Sequence, residues 1–176
     1  MNAKIVSSPD CRPRREKIWT GIVIHHTGIP DSEPKDPSAW AKFGDAMTSW
    51  MSTKDDNYLS AHYQINRDGS IVQLVDPATH ESFHAGKSAY WHPDRRQVLE
   101  DWNRYSIGIE LIGDGNRIAY HDLQYQALAD LCRELMERFR TIHPLAIVGH
   151  EQIAPGRKSD PGASFDWRRF FRLLYA

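Results

Sequence analysis

Cysteine is nearly absent: Cys11 and Cys132 are the only two in 176 residues. Two thiols build no disulfide framework of the kind that staples small secreted domains. Cys132 falls in a helical pattern with Leu128, Leu131 and Leu135, so it reads as a buried structural thiol. Long hydrophobic runs are also missing. No stretch approaches the ~20 apolar residues that cross a bilayer, and the opening Met-Asn-Ala-Lys-Ile-Val-Ser-Ser-Pro-Asp lacks the apolar core of a signal peptide. These absences argue against a membrane span and favour a reducing, cytoplasmic setting. Neither sign of charge is in excess: 22 Lys and Arg face 23 Asp and Glu, a formal net charge of -1. The Arg157-Lys158 and Arg168-Arg169 pairs are too short for a polybasic arm, so neither nucleic acid nor anionic lipid is an expected partner. There is no Gly-x-Ser-x-Gly, no cysteine in a polar, activated setting and no Gly-rich phosphate loop, which removes support for the common serine, thiol and P-loop chemistries. Repeats, low-complexity tracts and linkers are lacking too. A single domain spanning 1–176 is expected, with residues 1–17 as an irregular, Pro/Arg-rich leading segment.

What is present alternates between strand and helix signals. Residues 19–26 form a β-branched apolar run suited to a central strand. After a Gly/Pro/acid-rich loop, Ser38 reads as an N-cap, and Trp40, Phe43, Met47, Trp50 and Met51 recur at helical spacing. That stripe suits a helix packed on the core or, alternatively, a wall over a ligand groove. Segments 59–65 and 70–75 flank Asn66-Arg67-Asp68-Gly69, a strong hairpin signal. Residues 76–103 read mostly as loop, 105–112 as a strand with one carboxylate inside it, 122–140 as a long amphipathic helix, 145–148 as a strand and 165–174 as a closing helix. The expected class is α/β, a single mixed β-sheet flanked by helices.

Chemistry concentrates in three places. The loop 149–162 sets His150, Lys158 and Asp160 among Gly and Pro directly after an apolar strand, and is expected to have little secondary structure of its own. His25-His26 ends the run Ile22-Val23-Ile24. Neighbours on a strand point to opposite faces, so only one of this pair can join His150 and Asp160. Two imidazoles, a carboxylate and an open position suit a hydrolytic zinc ion. Glu110 sits where the strand pattern wants an apolar side chain. A buried carboxylate is neutral, paired or functional, and beside a metal it fits a general base and acid. Lys158 can place a positive charge beside a developing oxyanion. His62 alternates with apolar neighbours and either lines a groove or is packed; His84, between Phe83 and Ala85-Gly86, suits ligand contact. His80, His92, His121 and His143 read as surface or loop residues.

The motifs that carry these residues are Ile-Val-Ile-His-His-Thr, Ser-Ala-His-Tyr-Gln-Ile-Asn-Arg-Asp-Gly-Ser-Ile-Val-Gln, Phe-His-Ala-Gly, Asn-Arg-Tyr-Ser-Ile-Gly-Ile-Glu-Leu and Gly-His-Glu-Gln-Ile-Ala-Pro-Gly-Arg-Lys-Ser-Asp-Pro-Gly. In this order, over residues 22–170, the chain resembles the type-2 N-acetylmuramoyl-L-alanine amidases, and among them the AmpD-like branch. The resemblance implies a peptidoglycan-recognition-like fold with one Zn²⁺ held by His25, His150 and Asp160, so that His26 faces away or lines the groove. It makes Glu110 the catalytic glutamate and Lys158 the residue that steadies the transition state. Substrate contacts are assigned to His26, His62, Phe83, His84 and Asn103. The implied reaction hydrolyses the amide between the lactyl group of N-acetylmuramic acid, in its 1,6-anhydro form, and L-alanine of the stem peptide. Cytoplasmic recycling of cell-wall fragments by a monomer is the setting implied. Phe83 departs from the family's usual Trp but keeps an aromatic wall, and the stretch 28–58 is where a substrate-specific cover is expected. Three rivals share some of these features: a secreted or phage-type lysin with the same chemistry, a non-catalytic peptidoglycan-binding module, and a non-haem iron oxygenase. The last lacks the closely spaced His-x-Asp/Glu pair usual for such sites.

Overall fold

In the computed structural model, residues 2–54 and 58–176 are described. Residues 55–57, part of the stretch 28–58 expected to form a cover, lie outside the described residues. In chain order the elements are β1 (Lys4–Ile5), β2 (Cys11–Pro13), β3 (Gly21–His26), α1 (Pro37–Ser52), β4 (Tyr63–Ile65), β5 (Ile71–Gln73), β6 (His80–Ser82), β7 (Ala89–His92), β8 (Gln97–Glu100), β9 (Ser106–Leu111), α2 (Asp122–Arg138), β10 (Ile147–Gly149), α3 (His150–Ile153) and α4 (Trp167–Leu174). Six strands form one mixed sheet in the order β1-β5-β4-β9-β3-β10, with β4 and β5 antiparallel and the other neighbours parallel. This is the α/β architecture expected from the pattern. The expected hairpin is β4–β5, and Gly69 takes the left-handed φ of +83° that its turn needs.

Strands β3 and β9 are central and nearly continuous in apolar character because both of their faces are covered. On one face Ile22, Ile24, Ile107, Ile109 and Leu111 pack against Leu128, Leu131, Cys132 and Leu135 of α2 and Phe170 and Leu174 of α4. Each such side chain, fully buried, contributes roughly 1.5–3 kcal/mol, so this face holds the fold together. The opposite face carries the alternate residues: Val23 then His25 on β3, Gly108 then Glu110 on β9. His25 and Glu110 thus lie on one face toward the carboxyl ends of β3 and β9, and His26 ends the apolar face of β3.

Several expectations need correction. Residues 1–17 are not irregular throughout: β1 joins the sheet beside β5, and β2 pairs with β6. This second pairing seals Glu81, fully buried, with Arg12 and Arg15 at 2.8 and 2.9 Å. Residues 76–103 hold β6 and the β7–β8 hairpin rather than plain loop. His92 is not a surface residue. It is buried, contacting Thr20 Oγ1 through Nε2 at 2.8 Å and accepting from the Arg95 backbone N–H through Nδ1. α1 starts at Pro37, not after Ser38, because the Asp36 carboxylate accepts the Ala39 N–H and proline suits the first helical position. The strand expected at 145–148 is Ile147–Gly149, preceded by a short 3-10 turn at Pro144–Ala146. The loop expected after it opens with the helical turn α3. Among the described residues no helix is long and apolar enough to cross a membrane.

Candidate active site

Register explains why residues distant in sequence meet. Gly149 pairs with Ile24, so the next residue, His150, comes level with His25. His25 pairs with Glu110, and Glu110 with Gln64 of β4. Four neighbouring parallel strands thus present a row of polar side chains at their carboxyl ends, the usual location of a site in such a sheet. Asp160 arrives from the loop after α3, which folds back over β10. That approach needs Gly149: a Cβ there would lie 2.5 Å from Pro161 Cδ.

The result is a tight cluster. His25 Nδ1 lies 2.9 Å from His150 Nδ1, and Asp160 Oδ2 lies 3.0 Å from each. His25, His150 and Asp160 are all buried, with one candidate ligand atom from each within 4.8 Å of the others. The Nε2 atoms point outward, to His84 Nδ1 at 2.9 Å and to the Ala85 carbonyl at 3.2 Å. Each Nδ1 therefore presents a lone pair inward, beside a carboxylate oxygen. Three converging lone pairs repel one another unless a cation lies among them, so this donor set fits a divalent ion such as zinc. Burial, partly opposed by Asp160, pushes the His25 imidazole down to about 4. Burial alone raises the Asp160 carboxyl, but the two imidazoles facing it outweigh this and hold it well below the usual range. Both ligands' electron-donating forms are thus favoured over most of the accessible pH range.

Glu110 is the counterweight. Burial, reinforced by Asp160 and opposed by Lys158, pushes its carboxyl up to about 8. Its Oε2 is buried without a hydrogen-bond partner. A buried, unsatisfied carboxyl group at a cavity wall costs stability and marks a functional position. The cavity measures about 360 Å³, and its lining includes His25, Glu110, His150 and Asp160 on the sheet side, Arg157 and exposed Lys158 on the loop, and Met47, Trp50, Met51 and Leu59 opposite. One edge of the α1 stripe therefore serves as a cavity wall as well as packing on the sheet.

The remaining candidates divide. His26 lines the cavity and accepts the Gly115 N–H on Nδ1 at 3.0 Å, with Asp114 Oδ1 at 3.5 Å. His84 also reaches the lining but is buried against His25. His62, Phe83 and Asn103 are not among the described residues that line it. His62 is fully buried, accepts the Gly108 N–H at 3.0 Å, and is pushed down to about 3 by burial. Phe83 packs edge-on to Tyr58 and beneath the Arg12 guanidinium. Asn103 is buried, and its Oδ1 accepts the N–H groups of His84 and Ala85 at 2.9 and 2.7 Å. Arg157 and Leu59 were missed from sequence; Arg157 had a signal, its place in the same loop as Lys158 and Asp160.

Two imidazoles and a carboxylate that could hold a metal ion, beside a half-buried glutamate at the strand ends of an α/β sheet, form a hydrolase type of site. The family described as N-acetylmuramoyl-L-alanine amidase matches residues 14–163, and the chain belongs to it. The 1,6-anhydro-N-acetylmuramyl-L-alanine amidase AmpD of Escherichia coli is 40% identical over 180 residues, covering 99% of this chain and 93% of that protein. A crystal structure of a selenomethionine derivative of AmpD superposes with a TM-score of 0.76 at 37% identity, over 98% of this chain and 94% of that one. AmiD from E. coli, solved with anhydro-N-acetylmuramic acid-L-Ala-D-gamma-Glu-L-Lys, gives a TM-score of 0.64 at 27% identity, over 92% of this chain and 60% of that one. Membership and these relatives together support amidase activity on peptidoglycan material.

Proposed function

We propose that this chain hydrolyses the amide between the lactyl group of 1,6-anhydro-N-acetylmuramic acid and L-alanine of the stem peptide, with Zn²⁺ held by His25, His150 and Asp160. The observation that carries this reading is the convergence of three electron-donating atoms within 3.0 Å of one another, in the same cavity as a half-buried Glu110 whose Oε2 is enclosed. Relatives named as 1,6-anhydro-N-acetylmuramyl-L-alanine amidases align over almost the whole chain, which supports the choice of substrate. When bound, zinc supplies Lewis acidity and a positive charge that acidifies water and favours ionised carboxyls nearby.

The chain's own groups then divide the work. Glu110, as carboxylate, accepts the proton of the attacking water as its oxygen bonds to the lactyl carbonyl carbon. Protonated Glu110 next delivers that proton to the alanine nitrogen as the C–N bond breaks, leaving a free lactyl carboxylate and the peptide amine. Lys158 places its ammonium on the cavity side where negative charge collects on the carbonyl oxygen. Met47, Trp50, Met51 and Leu59 give the cavity an apolar stretch beside these groups. We place the enzyme in the cytoplasm, acting as a monomer on soluble recycled fragments.

The test compares two substrates under the same conditions, a soluble anhydro-muropeptide and intact sacculi, with released stem peptide followed by mass. Free peptide from the soluble fragment, at a rate at least ~10-fold above that from sacculi, is the expected result for an enzyme discriminating by pocket contacts. Release from sacculi alone contradicts the recycling role, and release from neither contradicts the amidase reading.

A further inference from the structure

The loop 83–86 contacts both proposed histidine ligands, and its hydrogen bonds can be counted. Ser106 O can only accept, so the 3.2 Å contact from His84 Nε2 requires a hydrogen on that nitrogen. The Ser106 hydroxyl, 3.5 Å from the same nitrogen, is already spent on Trp102 O. His84 Nδ1 is therefore bare and accepts from His25 Nε2–H at 2.9 Å, which leaves His25 Nδ1 free for a metal. The His84 ring lies directly on the bare Cα of Gly108, where an added Cβ would fall 2.4 Å from its Cγ, so the ring has no room to swing inward.

His150 is fixed in the same way. Arg157 Nη2 lies 3.3 Å from His150 Nε2, but its two hydrogens go to Ala85 O at 2.9 Å and Lys87 O at 2.7 Å. His150 Nε2 therefore carries a hydrogen and donates it to Ala85 O at 3.2 Å. Asn103 Oδ1 accepts the backbone N–H groups of His84 and Ala85, holding the loop at both contact points.

Resting on the zinc site proposed above, we infer that the loop 83–86 is the positioning frame of the metal centre. His84 and the Ala85 carbonyl set the tautomers of His25 and His150, and Asn103 clamps the loop in place. His84 and Asn103 thus act through the ligands rather than on substrate, as positioning residues. Outer partners of this kind typically tune metal affinity by 10- to 100-fold.

The test measures zinc affinity of the full chain by competition with a chromogenic chelator, without substrate. His84→Ala is expected to weaken binding by roughly 10- to 100-fold, with Asn103→Ala weakened in the same direction. His84→Gln, which keeps an acceptor near that place, should recover part of the loss. Equal affinity in wild type and His84→Ala overturns the inference while leaving the zinc site standing; a wild-type chain that binds no zinc overturns both. Should His84→Ala fail to fold, imidazole ¹⁵N spectra of the zinc-loaded wild type decide. Hydrogens on Nε2 of His25 and His84 support the frame, whereas Nδ1–H on His84 or zinc on His25 Nε2 refutes it.

Discussion

At the residue scale, Glu110 is the side chain whose environment fits no structural purpose. It occupies an interior strand position with Oε2 unsatisfied, where an apolar residue would pack without that cost. Glu110→Gln keeps the shape and removes the proton acceptor. Zinc content should stay at the wild-type level while turnover falls by about 10²–10⁴, read from steady-state rates alongside metal analysis. Full activity in this variant would remove Glu110 from the mechanism. The position was legible because a charge interrupts a β-branched run. The choice between His25 and His26 was not settled by alternation alone, since either face is possible until β9 and β10 fix which side holds Glu110 and His150. Alternation with apolar neighbours left His62 either packed or lining a groove, and the burial of Asn103 had no local signal. Both are enclosed by segments distant in sequence: His62 bonds Ser82 and the Gly108 N–H, and Asn103 bonds the backbone of 84–85.

At the element scale, α1 forms one wall of the cavity and is tied to the sheet through Gln64. The Gln64 amide nitrogen reaches Gly44 O at 3.0 Å and Thr48 Oγ1 at 2.9 Å. Gln64 is fully buried one strand from Glu110. Gln64→Leu removes both bonds, while Thr48 Oγ1 still donates to Gly44 O at 3.0 Å, so the loss in denaturant unfolding should be about 0.5–1.5 kcal/mol. A variant as stable as wild type would show that α1 is held by its apolar contacts alone. The long elements, β3, β9 and α2, were readable because their periodicity extends over six residues or more. β1 and β2 run two and three residues, too short for any period, and they become strands only because β5 and β6 offer partners. The β7–β8 hairpin escaped notice because its turn, 93–96, lacks an Asn-Gly or Asp-Gly signal; Arg96 takes the left-handed conformation there at φ +51°.

At the scale of the whole molecule, the buried titratable groups set a pH optimum for the metal-free fold. Burial lowers His25 to about 4 and His62 to about 3, and lowers His84 as well, so the unfolded chain binds more protons below about 6.5. Stability therefore rises with pH up to about 6.5. Glu110, raised by burial from 4.5 to about 8, has the opposite sign: its stabilising contribution is complete below 4.5 and is lost as pH rises through 8. Five imidazoles lowered by burial, His26 and His92 included, outweigh the raised carboxyls of Glu110 and Glu151 on the acid side, and Glu110 is the one raised far enough to act above it. Unfolding midpoints of the metal-free chain from pH 5 to 9 should peak near 6.5, and Glu110→Gln should abolish the decline above the peak. A steady rise through pH 8 would contradict the burial of Glu110.

The most direct check on the His25, His150 and Asp160 centre is to titrate the metal-free enzyme with zinc while following peptide release from a soluble anhydro-muropeptide. Activity absent at the start, rising linearly and saturating at one equivalent of zinc, is the expected result. Undiminished peptide release from protein shown by elemental analysis to hold no metal would contradict it.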